Sequence, residues 1–482
     1  MIGSSGLAAR LGARVSAVVL GAAIGTIGTL PPRVRYGYVH PFTRALLARP
    51  LPAIHSPDAG PISGSTEPVT HTGELTCVLG VTAVEVGGGI GSVVELLATR
   101  LPELGIVTAV VCCGDGVRAQ RLRDMGIQVR CVSDRASALS AFADLCPDVI
   151  QLHGVPAFLE ATARETGAPL VPVLHNSEIH YSRDRWRTFL DLLGQAVSAV
   201  AVSDLVRTFH ARQVPEPLRS RIAVIPNAAP GQTAPDGDER QVARDILERA
   251  VGGCFGDDVV FLCLARYDAQ KNIAGTIASF LTCVAAGVPA QLVIAGDPSD
   301  WVEFRRSDAI RRGSPHAGRV HLLATSDART LLAAADAFLL NSFFEGWPVA
   351  ATEAWTAGLP LILSDVGGAR ELIERDPTRS VLIPNASGAA SDVTDARVER
   401  ARWRAGRQRN SSELATAVRR VVNTVHRERG EPRAPRDASD GVSTMIAAHA
   451  HVIRKAAQTK PTDPSLQPVR VVGDQLGGAV TR

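Results

Sequence analysis

Two carboxylates eight residues apart, Glu345 and Glu353, stand just upstream of a glycine pair, Gly367-Gly368. A carboxylate accepts two directional hydrogen bonds, which suits it to holding hydroxyl groups. Adjacent glycines let backbone N–H groups approach a ligand where a helix begins, and that makes an anion site. A second constellation, Arg266 and Lys271, lies earlier in the chain. Arginine grips a phosphate through two parallel bonds, and lysine adds a compact point charge.

These residues need elements that bring them together. Pro348 fits the first turn of a helix, where its missing N–H is no loss. Ala350, Ala351, Glu353, Ala354 and Ala357 favour helix, and Gly358 stops it. Residues 359–363 are a short apolar run, as expected of a strand covered on both faces. The segment therefore reads loop, helix, buried strand, glycine turn, helix. Arg266 ends a further strand candidate, and Lys271 opens a helix whose apolar face is Ile273, Ile277, Phe280, Leu281 and Val284. Strand candidates at 75–84, 108–112, 129–132, 148–153, 170–174, 199–203 and 222–227 alternate with helical stretches. After a turn-rich stretch at 231–237 the alternation restarts at 259–264, 291–295, 320–323 and 337–340. This predicts parallel sheets with helices on both faces, and ligands at their C-terminal edges.

The combination of Phe-Glu345-Gly-x-Pro, Glu353-Ala-x-x-x-Gly, Ser364 and Gly367-Gly368 resembles the signature of the retaining glycosyltransferases of family 4. The resemblance covers residues 75–458 and is strongest over 262–373. It implies an α/β protein of the GT-B fold, with two Rossmann-like doubly wound domains facing a central cleft. The acceptor-side domain would be 74–229, the nucleotide-sugar domain 230–436, and 437–458 a helix crossing back to the first domain. By the same resemblance, Arg266 and Lys271 hold a donor diphosphate, Glu353 accepts hydrogen bonds from the ribose, and Glu345 lies near the donor sugar. Gly88, Gly89, Gly346, Ser364, Gly367 and Gly368 complete the donor site. His153, at the end of a strand, would contact the donor sugar near the reaction centre, with His175 and Ser203 lining the same cleft. The expected catalytic set is His153, Glu345, Arg266 and Lys271, acting by front-face retention. No cofactor is expected, the nucleotide sugar being a substrate, and metal independence is expected with it. The partners would be a nucleotide-sugar donor and a glycan, lipid or small-molecule acceptor. Two alternatives stay open: a GT-B epimerase or phosphorylase, and a non-catalytic sugar-nucleotide-binding protein.

Competing motifs fail on spacing. A dinucleotide fingerprint from Gly87 needs glycine where Ser92 stands, and one from Gly89 needs it at Val94. Asp236-Gly-Asp238 matches a metal-binding D-x-D, yet it sits in the turn-rich stretch rather than after a strand.

The 482 residues suffice for two or three domains, and 45% hydrophobic with 21% charged residues is a soluble globular composition. A net charge of +3 gives no argument for nucleic acid. Only Lys271, Lys455 and Lys460 are lysines, which makes Lys271 the single lysine expected in the folded body. The arginine bias accords with a GC-rich bacterial genome. The 8 cysteines form no C-x-x-C pair and read as small buried hydrophobes in a reducing compartment. Residues 1–73 read as an extension and linker, disordered and rich in Ala and Gly. Against that stands the apolar run 15–30, short of a bilayer span, which could make a peripheral membrane contact. The arginine-rich stretch 397–409 reads as a solvated loop face, and 459–482 as a disordered tail. The expected location is cytoplasmic, with the inner face of the membrane as the alternative.

Overall fold

The computed structural model describes residues 4–55, 75–84, 89–230, 235–431, 433, 436 and 439–459. Gly88, most of the 51–73 linker and the tail from 460 onward lie outside the described residues.

The first sheet has seven parallel strands: β1 Leu75–Val81, β2 Ile106–Cys112, β3 Gln128–Cys131, β4 Val149–His153, β5 Leu170–Leu174, β6 Ala199–Ala201 and β7 Ile222–Val224. Their order is β3-β2-β1-β4-β5-β6-β7. The second has six: β8 Val259–Leu264, β9 Ala290–Ala295, β10 Val320–Leu323, β11 Ala337–Leu340, β12 Leu361–Ser364 and β13 Val381–Ile383, in the order β10-β9-β8-β11-β12-β13. Every pairing is parallel. In each sheet the winding reverses beside the first strand, between β1 and β4 and between β8 and β11. Such switch points open a crevice at the strand ends. Strands β4, β5, β9, β11 and β12 are buried at every residue, because helices cover both faces. The two doubly wound parallel sheets are the pair of Rossmann-like domains expected of a GT-B fold.

Helix Ser439–Gln458 packs back onto the first sheet through Met445, Ile446, Ala450 and Ile453. Lys455 lies exposed on this helix, so Lys271 is not the only lysine in the folded body.

Three expectations are corrected. Where composition suggested a disordered extension, residues 4–47 form helices, chiefly Ser4–Gly28 and His40–Leu47. The reason is a partner surface. Ala13 and Ile24 are buried, and Arg35 Nη1 binds Glu399 at 2.8 Å, with Asp395 as its second carboxylate. Second, the arginine-rich stretch is largely helical rather than a loop, although Arg397, Arg400, Arg404, Arg407 and Arg409 are exposed as expected. Helix Asp395–Trp403 runs through it, and Arg402 is a buried hub bound to Asp300, Glu303 and Glu399 at 3.3, 3.0 and 2.8 Å. Third, Cys131, Cys146 and Cys254 are exposed rather than buried, because they fall at a strand end, a helix cap and a loop. Asp236 proves to be a helix cap: its Oδ1 accepts from the Glu239 N–H at 2.8 Å, and the Glu239 side chain closes a capping box.

Candidate active site

The site is assembled from strand ends. After β8 the chain turns through Arg266 to Lys271. Gly296 is required beneath this turn, since a Cβ there would overlap the Ala265 carbonyl oxygen. The buried Tyr267 hydroxyl lies 2.8 and 2.9 Å from the carbonyl oxygens of Ile294 and Leu323, which pins the turn to the ends of β9 and β10. Asp268 Oδ1 accepts from the N–H groups of Gln270 and Lys271 at 3.0 and 3.1 Å, and its Oδ2 meets Arg266 at 3.0 Å. Asn272 takes a left-handed conformation, φ 53°, to start helix Ile273–Ala285, and its side chain is tied to Gln408.

Facing this turn is the loop after β11. Lys271 Nζ donates to Glu345 Oε1 at 2.6 Å, and Gln270 Nε2 donates to Glu345 Oε2 at 3.1 Å. The lysine side chain is 16% exposed and the glutamate 6%. The two segments, expected to serve the diphosphate and the donor sugar, are therefore in direct contact. Arg266 is more open, at 52% exposure, with its guanidinium at the edge of the site.

Helix Val349–Thr356 carries Glu353, half-buried and pushed up to about 7 by desolvation, with the Arg118 charge opposing the shift. Arg118 itself is held by Glu95 at 2.8 Å on the other half of the molecule. Gly367, φ 50°, and Gly368 pack where a side chain cannot fit. A Cβ on the first would overlap the Gly346 carbonyl, and one on the second the Trp347 ring. Ser364 is fully buried and donates to the Ser342 carbonyl at 2.7 Å. It braces the loop that carries Glu345 rather than facing a ligand.

The first sheet contributes from across the cleft. Gly89 opens helix Gly89–Arg100, and a Cβ there would lie 3.3 Å from Val349 Cγ2. Gly346 meets the His175 backbone so closely that a Cβ would overlap the His175 carbonyl oxygen. The Asp204 N–H donates to Glu371 Oε1 at 3.2 Å. Ser203 caps helix Asp204–Ala211, accepting from the Val206 N–H. His153 is fully buried at the end of β4. Its Nδ1 lies 2.9 Å from His175 Nε2 and its Nε2 lies 3.3 Å from Gln151 Oε1. Both ring nitrogens are thus engaged, and the half-buried His175 is the ring nearer the cleft.

Sequence reasoning missed the supports. Asp268 had a readable signal, because an aspartate can accept from backbone N–H groups two or three residues on in an Asx-type turn. Gln270 had none. Nor did the chain that runs behind His153. Gln151 Nε2 lies 3.1 Å from His449 Nδ1, on the crossing helix. If Gln151 donates to His449 and accepts from His153 Nε2–H, then His153 Nδ1 accepts from His175 Nε2–H. Desolvation lowers all three histidines, most strongly His153, and keeps the chain neutral.

Comparison with known proteins agrees with this architecture. Residues 246–401 match the model for glycosyl transferases group 1, and residues 87–230 match the model for glycosyltransferase family 4. Each half of this GT-B protein thus matches a glycosyltransferase family model. A glycogen synthase from Mycobacterium tuberculosis is 28% identical over 36% of this chain and 44% of its own length. A GDP-mannose:cellobiosyl-diphosphopolyprenol alpha-mannosyltransferase from Xanthomonas oryzae is 27% identical over 45% of this chain and 56% of its own. The chain thus spans about half the length of these curated relatives. Among solved structures, Anabaena HepE in complex with UDP and glucose superposes with a TM-score of 0.56 at 17% identity, over 79% of this chain and 99% of HepE.

Proposed function

We propose that this chain transfers a sugar from a nucleoside-diphosphate donor to an acceptor, with retention of configuration. The observation that carries the reading is the Lys271–Glu345 pair. It joins the strand-end turn of Arg266 to the loop before the Glu353 helix, beside the Gly367-Gly368 turn. Lys271 and Arg266 are placed to take the donor diphosphate, Lys271 exchanging its bond to Glu345 for phosphate oxygens. Their charge would then offset the negative charge that grows on the leaving diphosphate. Glu345, once released, would accept from sugar hydroxyls, and Glu353 from the ribose. The closeness of Gly346 to His175 and of Gly89 to Val349 supports a closed cleft that excludes water and favours transfer over hydrolysis. HepE has also been solved with UDP-glucose, and the Xanthomonas relative's name specifies GDP-mannose. Both are nucleoside-diphosphate sugars, and that shared class is the donor we assign. The reaction is retaining by the family resemblance of Glu345, Glu353 and the glycine turn.

The test is thermal-shift binding of UDP, GDP, ADP and their sugars to wild type and Glu353→Ala. One nucleotide should stabilise the protein, and the variant should lose that shift. Release of nucleoside diphosphate only when an acceptor is added would separate transfer from epimerase chemistry. Stabilisation by no nucleotide would refute the donor assignment.

A further inference from the structure

Helix Ser4–Gly28 is apolar on opposite sides, and the described residues cover only one of them. On the covered side Ala13 and Ile24 are buried, Gly21 and Gly25 let Arg306 and Trp403 come close, and Arg14 Nε donates to the Gly313 carbonyl at 3.0 Å. The other side shows Leu7, Leu11, Val15, Val18 and Val19, each 58–72% exposed. At about 100° per residue these five occupy one third of the helix circumference, roughly opposite Ala13 and Ile24. Tyr38, Phe42 and Leu46 continue the pattern at a spacing of four, 68–74% exposed, along the next helical stretch. Single exposed apolar residues are ordinary, but a periodic stripe across two helices marks a binding face. A helix apolar all round is either buried in protein or faces lipid.

Charge says which. Residues 1–55 contain six arginines and neither Asp nor Glu. Arg14 and Arg35 are used to hold the segment on the protein. Arg33, Arg44 and Arg49 remain exposed on the same segment. Apolar and aromatic side chains flanked by arginine, without acid, complement a bilayer surface carrying anionic headgroups. Gly6–Gly28 is long and apolar enough to cross a membrane. Crossing would break the contacts of Arg14, Ala13 and Ile24, whereas lying in the interface keeps them and covers the exposed stripe.

We propose that residues 4–47 are a docking face for an anionic phospholipid bilayer, with helix Ser4–Gly28 lying in the headgroup–acyl boundary along the second domain. This stands independently of the transferase reading.

The test is flotation of the full chain with phosphatidylcholine vesicles, with and without phosphatidylglycerol. The protein should float with the anionic vesicles and be released by alkaline carbonate. Val15→Asp/Val18→Asp should abolish flotation while leaving nucleotide-induced stabilisation intact. Arg33→Glu/Arg44→Glu, which spares the long helix, should weaken binding to anionic vesicles at least about tenfold. Two results would overturn the proposal: no flotation, with a dimer that the Val15→Asp/Val18→Asp variant makes monomeric then identifying a second copy as the occupant, or retention after carbonate as for a spanning helix.

Discussion

Replacing Lys271 tests whether the pair with Glu345 serves the reaction or only the fold. Glu345 is 6% exposed, and in Lys271→Ala it keeps only the Gln270 amide at 3.1 Å. Removing one partner of a buried ion pair costs about 3–5 kcal/mol, because the remaining charge is left without its counterion. Lys271 is itself 16% exposed and Gln270 still donates, so the expected loss falls at or below the bottom of that range, about 2–3 kcal/mol. Loss of a group that stabilises developing charge lowers turnover about 10²–10³-fold. The two effects separate in Lys271→Met/Glu345→Gln, where no unpaired charge remains. Chemical denaturation should show the double variant within about 1 kcal/mol of wild type, since a neutral isosteric pair removes the desolvated charge. Nucleoside-diphosphate release should stay as low as in Lys271→Ala and below that of Glu345→Gln alone, which keeps the lysine. Recovery of turnover along with stability would show that the lysine is a structural counterion, and the proposed phosphate role would be wrong.

Three further outcomes follow from the same geometry. Glu353 holds its proton up to about pH 7, whereas hydrogen bonds from a ribose favour the charged carboxylate. Nucleotide affinity should therefore rise from pH 6 to pH 8, and calorimetry should find that rise absent in Glu353→Gln. The sign for folding is opposite: a carboxyl raised in the folded state favours folding below its folded value and loses that contribution as pH rises through about 7. Gly346→Ala places a Cβ on the His175 carbonyl, so it should hold the two halves apart. Small-angle scattering should show a larger radius, and turnover should fall while nucleotide binding persists. Gln151→Leu strands the facing nitrogens of His153 and His449, at about 1–3 kcal/mol for the buried polar groups left unpaired. Its turnover should fall further than that of a surface control of equal stability, and NMR should show a changed His175 tautomer.

How legible the site was depended on how local its causes are. The helix at Val349–Thr356 and the strands β5, β8, β10 and β11 follow from composition, period and stop signals contained in a dozen residues, and their predicted bounds need little adjustment. Strand β13, Val381–Ile383, was missed, although β6 and β7, also three residues each, were read. The contact of Lys271 with Glu345 bridges 74 residues, and only the resemblance to a known signature put them in one site. His153 was placed at the right strand end, but its partners were not. His449 lies 298 residues from Gln151 and reads as one more position on an amphipathic helix.

The N-terminal segment shows the same limit in its strongest form. Its composition, apolar with arginine and without acid, fits a disordered extension or a membrane contact equally well. What decides for helix is a surface more than 250 residues away in sequence: Gly313 for Arg14, and Glu399 with Asp395 for Arg35. Arg35 is only 2% exposed, and a guanidinium is costly to bury unless carboxylates surround it. Arg402 satisfies the same condition with Asp300, Glu303 and Glu399, and Glu399 is shared between the two arginines. This shared carboxylate couples the N-terminal layer to the second domain. Losing Arg35 would leave Glu399 held by Arg402 alone and would free the layer that carries the exposed apolar stripe. Arg35→Ala should therefore expose helix Ser4–Gly28 to limited proteolysis while leaving the nucleotide-dependent stabilisation in place. Unchanged protease resistance would mean that apolar packing alone holds the helix, and that the buried arginine is not what orients the proposed membrane face.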